Sequence, residues 1–186
     1  MASHKQHKIT DEVYFCTITC YKWLPLFQLS GAYQSVYKWF EYLGKMNCKL
    51  VGYVIMPNHI HVLLYPTQQE PSLNQLVANG KRFMAYSIIS GLKEKKEKGT
   101  LKILELGVPF NERKKGKKHM VFIPSFDARV CFDEQMVFQK LDYIHHNPVA
   151  GKWNMVEDYS YYSHSSAGFY ERGDISSCQI TPLNCL

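Results

Sequence analysis

The chain has 186 residues, 46% of them hydrophobic and 14% aromatic, and its formal net charge at pH 7 is +6. This length and apolar content suffice for the core of one compact domain. No stretch approaches the roughly 18 uninterrupted apolar residues of a membrane helix, and no apolar segment opens the chain, so we expect a cytoplasmic protein without membrane functions.

The first part of the chain predicts a strand, a helix and a hairpin of two strands. Residues 13–20 are rich in β-branched and aromatic side chains, which is typical of a strand. In residues 30–46 apolar side chains recur every three or four positions, which predicts an amphipathic helix. Residues 49–56 form the next predicted strand. The short turn signal Pro57-Asn58 then favours an antiparallel hairpin with the apolar run 59–65.

A second amphipathic helix is predicted from the N-cap residue Ser72 to about Ile89. Gly91 and the lysines that follow it are expected to end this helix. Its expected buried side consists of apolar residues at helical spacing, namely Leu73, Leu76, Val77, Phe83 and Ile88.

A fourth strand and a third helix complete the predicted elements. A basic linker leads to the strand at residues 119–123, which can extend through residues 128–132. The helix begins at Asp133-Glu134-Gln135 and ends near His146, because Pro148 disfavours helical backbone at the residue before it. The order strand, helix, strand, strand, helix, strand predicts an α+β, ferredoxin-like (split βαβ) antiparallel sheet with its helices on one face and its first and third strands in the centre.

Two histidines in the predicted third strand are the strongest candidates for metal ligands. His59 and His61 flank Ile60, and alternate side chains of an extended chain share a face, so the two imidazoles point the same way. A single histidine on a strand is more often a satisfied polar group or an exposed side chain. Two at this spacing, in an apolar run just after a turn, favour metal ligation. The spacing does not identify the metal.

A second candidate pair lies at the end of the predicted third helix. Tyr143 and Asn147 are one helical turn apart, so a phenol and an amide oxygen can face the same side. Taken alone, this spacing is more typical of a core tyrosine and an asparagine that caps a helix end.

The net charge is concentrated in residues 93–118, which contain ten basic and four acidic residues. A concentrated basic patch suits a polyanion such as nucleic acid. A solvated helix end and loop would explain the same composition. With Arg82, the candidate nucleic-acid-binding residues are Lys93, Lys95, Lys96, Arg113, Lys114, Lys115, Lys117 and Lys118.

Two motifs in this order give the chain a family resemblance. Met56-Pro57-Asn58-His59-Ile60-His61 is followed some eighty residues later by Tyr143-Ile144-His145-His146-Asn147-Pro148-Val149. Together they closely resemble the HUH single-tyrosine transposases, and most of all the REP-associated tyrosine transposases. The resemblance covers most of the chain. It implies a single HUH transposase domain over residues 1–186, with a core at about 10–150 and a C-terminal extension at about 151–186.

The resemblance implies an enzyme that nicks and joins single-stranded DNA. Tyr143 would be the nucleophile that forms a 5′-phosphotyrosine. His59 and His61 would hold a divalent cation, Mg²⁺ or Mn²⁺, that neutralises an oxygen of the scissile phosphate. Asn147 occupies the position of the polar residue that completes the metal site in relatives, and His145 and His146 fit that role less well.

The implied partner is single-stranded DNA with hairpins of palindromic repeats. The protein would be nucleoid-associated and act as a monomer or homodimer. Two other functions stay open from the sequence, namely a catalytically inactive DNA- or RNA-hairpin-binding module on the same fold, and an unrelated metal hydrolase that uses His59 and His61. A covalent bond between Tyr143 and DNA would distinguish the three.

Overall fold

A four-stranded antiparallel sheet organises the chain in the computed structural model, which describes residues 10–151 and 153–186. The strands are β1 (Val13–Thr19), β2 (Cys48–Ile55), β3 (His59–Pro66) and β4 (Asp127–Cys131). Their spatial order is β2-β3-β1-β4, so the first and third strands are central. The predicted ferredoxin-like sheet is confirmed.

Helices surround this sheet. They are α1 (Leu26–Ser30), α2 (Tyr33–Lys45), α3 (Leu73–Glu94), α4 (Lys98–Leu106), α5 (Phe110–Lys114), α6 (Glu134–His145) and α7 (Ala167–Arg172). Single 3₁₀ turns lie at Tyr21–Trp23, Asn147–Val149, Tyr159–Tyr161 and Leu183–Cys185. Within the described ranges, none of these helices is long and apolar enough to cross a membrane.

The two faces of the central strands bury different sets of side chains. On one face Ile18, Ile60 and their alternate neighbours pack with the apolar sides of α2 and α3. On the other face Phe15 and Leu63 pack with α6. The expectation that the helices share one face was therefore wrong, although the fold class holds. Both faces of β1 and β3 are apolar along much of their length, and a sheet with two apolar faces has to be covered on both.

The second predicted helix, α3, begins as expected and ends later than expected. Ser72 caps it through a reciprocal pair of hydrogen bonds with Gln75. The helix continues through Gly91 to Glu94, because this glycine does not break the helix but lets it approach the Ser30 carbonyl, where a side chain would not fit. Phe83, predicted to be buried, is 57% exposed. Its neighbour Met84, rotated by about 100° around the helix, is buried instead.

The fourth strand lies at Asp127–Cys131, which is the predicted extension, and not at residues 119–123. The earlier segment makes one isolated bridge, between Phe122 and Cys20 just beyond the end of β1. Pro124 has no N–H to continue that ladder, so the chain turns before it pairs with β1. The basic segment before it is no open linker, because it folds into α4 and α5.

The C-terminal extension covers the free edge of β2. The amide of Ile55 donates to the His164 carbonyl at 2.8 Å, and the amide of Ser166 donates to the Tyr53 carbonyl at 2.9 Å. The Tyr162 hydroxyl donates to the Ile55 carbonyl at 2.9 Å. These bonds satisfy backbone groups that an exposed edge strand would leave open to pairing with another chain.

Gly52 determines how closely α6 packs on β2. It lies at an irregularity in the β2–β3 pairing, and a Cβ there would overlap the Leu141 side chain. Inserting a methyl group into a filled core forces neighbours out of place. We expect Gly52→Ala to lower the free energy of unfolding by about 1–3 kcal/mol, as measured by urea unfolding.

Gly44 provides a matched control for this substitution. It lies in α2, and a Cβ there meets no atom within 4 Å. Gly44→Ala should raise the free energy of unfolding by up to about 1 kcal/mol, since alanine favours helix over glycine. An equal response of the two variants would contradict the close packing of α6 on β2.

Candidate active site

The pairing of β1 and β3 places the two candidate histidines side by side. Thr19 lies opposite His59 and Thr17 lies opposite His61. The two imidazole centroids are 4.6 Å apart, and both side chains are buried on the face of the sheet that α6 covers. Ile60 between them belongs to the core on the other face. Two rigid strands thus support both rings.

Hydrogen bonds to the Nδ1 atoms orient both rings. The Asn58 amide nitrogen donates to the Trp23 carbonyl at 3.2 Å, so its oxygen is the atom that lies 2.6 Å from Nδ1 of His59. An amide oxygen only accepts, so Nδ1 of His59 carries the proton and Nε2 keeps a lone pair. Nδ1 of His61 is 2.9 Å from the Thr17 hydroxyl. Metal-binding histidines are held in this way through the other ring nitrogen.

Burial keeps both imidazoles neutral at physiological pH. It lowers the pKa of His59 to about 4, partly opposed by a hydrogen bond with Asn147. Burial, with smaller contributions from the neighbouring His59 and Lys140, lowers the pKa of His61 to about 3. Because a histidine must be unprotonated to bind a metal, neither ring has to lose a proton first.

Helix α6 and the turn after it bring Tyr143 and Asn147 to the histidines. The Tyr143 ring centroid is 5.4 Å from that of His61 and 6.0 Å from that of Phe15. Tyr143 is 51% exposed, so its phenol lies at the open rim of the site. Asn147 lies in the 3₁₀ turn after α6, is buried, and contacts the His59 ring. The structure thus brings these four candidate residues together from two separate segments of the chain.

The two other histidines of the second motif have different partners. Nε2 of His145 is 2.8 Å from the Ser166 hydroxyl, which in turn donates to the Tyr53 carbonyl. His146 contacts Asp142 through Nδ1 and stacks on Tyr159 with ring centroids 3.9 Å apart. His145 therefore joins α6 to the C-terminal extension, and of His145, His146 and Asn147 only Asn147 contacts the histidine pair.

Lys140 is a site residue that the sequence reasoning missed. Its Nζ lies 5.0 Å from the Phe15 ring centroid and 5.9 Å from that of Tyr143. Its position three residues before Tyr143 on one helix was the available signal, because such residues share a face. Thr17 and Asn58 were also missed as partners of the histidines. Lys140 places a positive charge beside the Tyr143 ring.

The donor set fits a divalent cation. Two neutral imidazoles and one amide oxygen can ligate Mn²⁺ or Mg²⁺, with water or phosphate oxygens in the remaining positions. Among the residues that the structure describes, no group of three or more His, Cys, Asp or Glu side chains could hold a metal. A cation bound by His59, His61 and Asn147 would keep open positions, which is what a catalytic site requires.

A groove of about 620 Å³ lies between α3 and residues 116–124. We call it the basic groove, after the charged side chains that line it, which are Lys81, Arg82, Lys93, Lys117 and Lys118. Tyr86, which is 67% exposed, also lines it. Four of the nine predicted nucleic-acid-binding residues therefore meet on one concave surface, together with Lys81.

The other five predicted nucleic-acid-binding residues do not line this groove. The Arg113 guanidinium donates to the carbonyls at the end of α4, including that of Val108 at 2.9 Å. Lys115 forms an ion pair with Glu112, and Lys114 lies over the Phe110 ring. Lys95 and Lys96 follow the end of α3. Clustering in sequence therefore did not mean clustering on one surface.

Lys81 was missed by the sequence analysis and shapes the groove. Its Nζ donates to the carbonyls of Ile123, Pro124 and Ser125 at 2.6, 3.1 and 3.2 Å. Burial and the nearby Lys117 lower its pKa to about 8. Lys81 thus fixes the turn between the groove segment and β4, and no local sequence signal indicates this contact.

Comparison with known proteins identifies solved structures with a similar fold. No protein-family model and no curated protein sequence matches the chain. A solved REP-associated tyrosine transposase bound to a REP hairpin is similar over 100% of this chain and 96% of that chain, with a TM-score of 0.61 and 15% identity. The chain has the fold of that transposase. This likeness shows the fold, and it agrees with the ferredoxin-like sheet predicted from the sequence. A candidate transposase from Deinococcus radiodurans is similar over 78% of this chain and 97% of that chain, with a TM-score of 0.43 and 15% identity.

The buried His145 should make stability depend on pH. Burial lowers its pKa to about 4 in the folded protein, whereas an unfolded histidine has a pKa of about 6.5. Between these two pKa values His145 is protonated in the unfolded chain but not in the folded chain. The free energy of unfolding therefore decreases as the pH falls from about 7 towards 4. Between about pH 7 and pH 5, we expect the unfolding free energy to fall by about 2 kcal/mol more in the wild type than in His145→Gln.

Urea unfolding followed by circular dichroism, with chelator present, measures this difference. Glutamine does not titrate and keeps a polar group near the Ser166 hydroxyl, so the comparison isolates the proton. If both proteins lose the same stability between the two pH values, His145 is protonated in the folded state and the prediction is wrong.

Proposed function

We propose that this protein is a metal-dependent tyrosine transposase that nicks and rejoins single-stranded DNA at hairpin-forming repeats. The observation that supports this most is the meeting of the Tyr143 phenol with the neutral His59–His61 pair and Asn147. A core tyrosine would be buried, whereas Tyr143 is half-exposed beside two buried polar rings. The REP hairpin bound to the similar transposase agrees with a hairpin partner for this chain.

Tyr143 would act as the nucleophile. Its phenol oxygen attacks the scissile phosphorus and forms a 5′-phosphotyrosine, while the 3′-oxygen of the upstream nucleotide leaves and takes up a proton. The phosphodiester bond energy is kept in the new bond, so another 3′-hydroxyl can later displace the tyrosine and rejoin a strand. A divalent cation, Mg²⁺ or Mn²⁺, held by His59, His61 and Asn147 would neutralise a non-bridging oxygen of the phosphate.

Lys140 and the exposure of Tyr143 suit this reaction. The Lys140 ammonium lies on the Tyr143 side of the site, where it can bind a second phosphate oxygen. The half-exposed phenol lies at the surface, and a flexible single strand can place one phosphate there. A phosphate inside a regular duplex is held at a fixed distance from its neighbours and has less freedom to reach the histidines.

The basic groove would bind the hairpin stem. Its lysines and Arg82 can contact backbone phosphates, and Tyr86 offers an exposed ring for an unpaired base. The groove segment meets the site at the end of β1, where the Ile123 amide donates to the Thr19 carbonyl at 3.0 Å and the Tyr21 amide donates to the Val121 carbonyl at 2.8 Å. Because α3 and α6 cover opposite faces of the sheet, DNA in the groove would pass around this strand end to reach the histidines.

Covalent attachment tests the reaction. Purified protein is incubated with Mn²⁺ and single-stranded hairpin oligonucleotides that represent repeats flanking its gene, and is then separated on a denaturing gel. We expect a fragment linked to the protein through its 5′ phosphate, which Tyr143→Phe and chelator abolish, because the phenol oxygen forms the bond and the histidine site needs its metal.

Tyr161→Phe is the matched control, since Tyr161 is another exposed tyrosine, with its ring under Arg172. This variant should form the adduct at the wild-type rate. Binding of hairpins without any adduct would favour the inactive binding module. Cleavage without attachment to protein would favour a metal hydrolase.

The salt dependence of binding tests the basic groove. Each phosphate contact with duplex DNA releases about 0.9 counterion, which sets the slope of the logarithm of the binding constant against that of the salt concentration. In the Tyr143→Phe background, which cannot cleave, we expect Lys117→Ala with Lys118→Ala to reduce this slope by about 2. Fluorescence anisotropy of a labelled hairpin over a range of salt concentrations measures it.

Lys114→Ala with Lys115→Ala removes the same charge from the same segment outside the groove. Lys115 is already paired with Glu112, so this control should change the slope by less than half as much as the groove variant. Equal effects of the two double variants would show that general positive charge, and not the groove, binds the stem.

A further inference from the structure

Trp23 is a large aromatic side chain held at the rim of the candidate active site. Its ring is 57% exposed, and its centroid lies 5.7 Å from that of His59 in an edge-on arrangement of 68°. Tryptophan is among the side chains that gain most from burial. Its exposure beside a candidate ligand therefore calls for a partner that comes from outside the chain.

The backbone that presents Trp23 is strained. Lys22 and Trp23 have φ angles of 52° and 56°, in the left-handed region that side chains other than glycine rarely adopt. Each such residue costs free energy, which persists only where surrounding contacts determine the conformation. Here those contacts are backbone hydrogen bonds, among them Trp23 N–H to the Cys20 carbonyl at 3.0 Å. The exposed ring recovers little of this cost through packing.

A single side chain joins the position of Trp23 to that of His59. The Asn58 amide donates to the Trp23 carbonyl and accepts from Nδ1 of His59. The indole and the imidazole are therefore placed relative to each other by the same two hydrogen bonds. Such a linkage is expected where both groups must contact one substrate.

Trp23 and Tyr143 lie at opposite ends of the histidine pair. Tyr143 contacts His61 and Phe15, whereas Trp23 contacts His59 and follows the end of β1 beyond Thr19. Phe15 and Thr19 are four positions apart in β1, a distance of about 13 Å along the strand. A phosphate over the two imidazoles would thus have the phenol on one side and the indole on the other.

The geometry of phosphoryl transfer determines which nucleotide lies on each side of the scissile phosphate. The attacking and leaving oxygens lie roughly in line across the phosphorus. When Tyr143 attacks from its end, the 3′-oxygen leaves towards the Trp23 end. That oxygen belongs to the nucleotide on the 5′ side of the scissile phosphate.

We propose that Trp23 stacks on the base of the nucleotide that carries the leaving 3′-oxygen, and holds this nucleotide in the site until the strand is rejoined. This inference rests on the proposed transposase function and adds a substrate-positioning residue to it. Because every base has a π-face, the contact would not select sequence. It would retain the released 3′-hydroxyl end, which has no covalent link to the protein.

Fluorescence of 2-aminopurine tests the stacking without any cleavage. The scissile position is first mapped from the length of the 3′-hydroxyl fragment that wild-type protein releases. The fluorescent base is then placed 5′ of that phosphate, in an oligonucleotide that wild-type protein still cleaves, and titrated with Tyr143→Phe protein. We expect quenching that Trp23→Ala in this background removes and Trp23→Phe largely restores. The same base placed 3′ of the phosphate should respond equally in all three proteins.

Single-turnover adduct formation provides a second test. We expect two changes to slow the reaction about tenfold each. One is Trp23→Ala, tested with the normal strand. The other is an abasic site at the nucleotide 5′ of the scissile phosphate, tested with wild-type protein, since each change removes one partner of the stack. The variant and the abasic strand combined should be no slower than either alone. Trp23→Phe with the normal strand should recover most of the rate, and thermal unfolding of Trp23→Ala should match the wild type, because the ring is exposed.

The outcomes separate this inference from the proposed function. Suppose that wild-type protein forms an adduct but quenching persists in Trp23→Ala, or that the rate losses multiply when the variant and the abasic strand are combined. Either result would contradict the role of Trp23 and leave the transposase function standing. If wild-type protein forms no adduct with any hairpin, the proposed function fails and this inference fails with it.

Discussion

The antiparallel pairing of β1 with β3 is the constraint on which the rest of the structure depends. Its register puts Thr17 opposite His61 and Thr19 opposite His59. A shift by one residue would turn every side chain of one strand to the other face. It would bury both imidazoles among the apolar side chains of the α2–α3 layer and turn Ile60 to the face that α6 covers. The hydrophobic pattern of the two strands therefore fixes the position of the candidate site at the same time as the core.

The two faces of the sheet bury different kinds of side chain. The layer with α2 and α3 is a conventional apolar core, whereas the layer with α6 combines apolar packing with two buried imidazoles. Burying these rings costs stability at low pH, because they resist protonation. The close packing of α6 at Gly52 offsets part of that cost and sets the distance between α6, which carries Tyr143, and the sheet. Core packing and site geometry are thus determined by the same contact.

The features that the fold alone does not require lie around the site. Trp23 is exposed on a strained backbone, and Lys81 is a partly buried ammonium that holds a turn through carbonyl oxygens. Both flank the end of β1, where the basic groove approaches His59. Strain and buried charge of this kind are typical of functional regions, where they hold groups ready for a ligand.

The sequence by itself determined the first three strands, the alternation that puts His59 and His61 on one face, the Ser72 cap and the helix that carries Tyr143. These features depend on neighbours along the chain, whose chemistry and spacing are visible in the sequence. Only the tertiary structure decided that α6 lies on the face opposite α2 and α3, that Thr17 and Asn58 orient the imidazoles, and that Arg113 faces helix carbonyls and not the groove. These contacts join residues through strand register and helix packing, which local patterns do not encode. For the same reason β4 formed after Pro124, where Lys81 from a distant helix holds the turn.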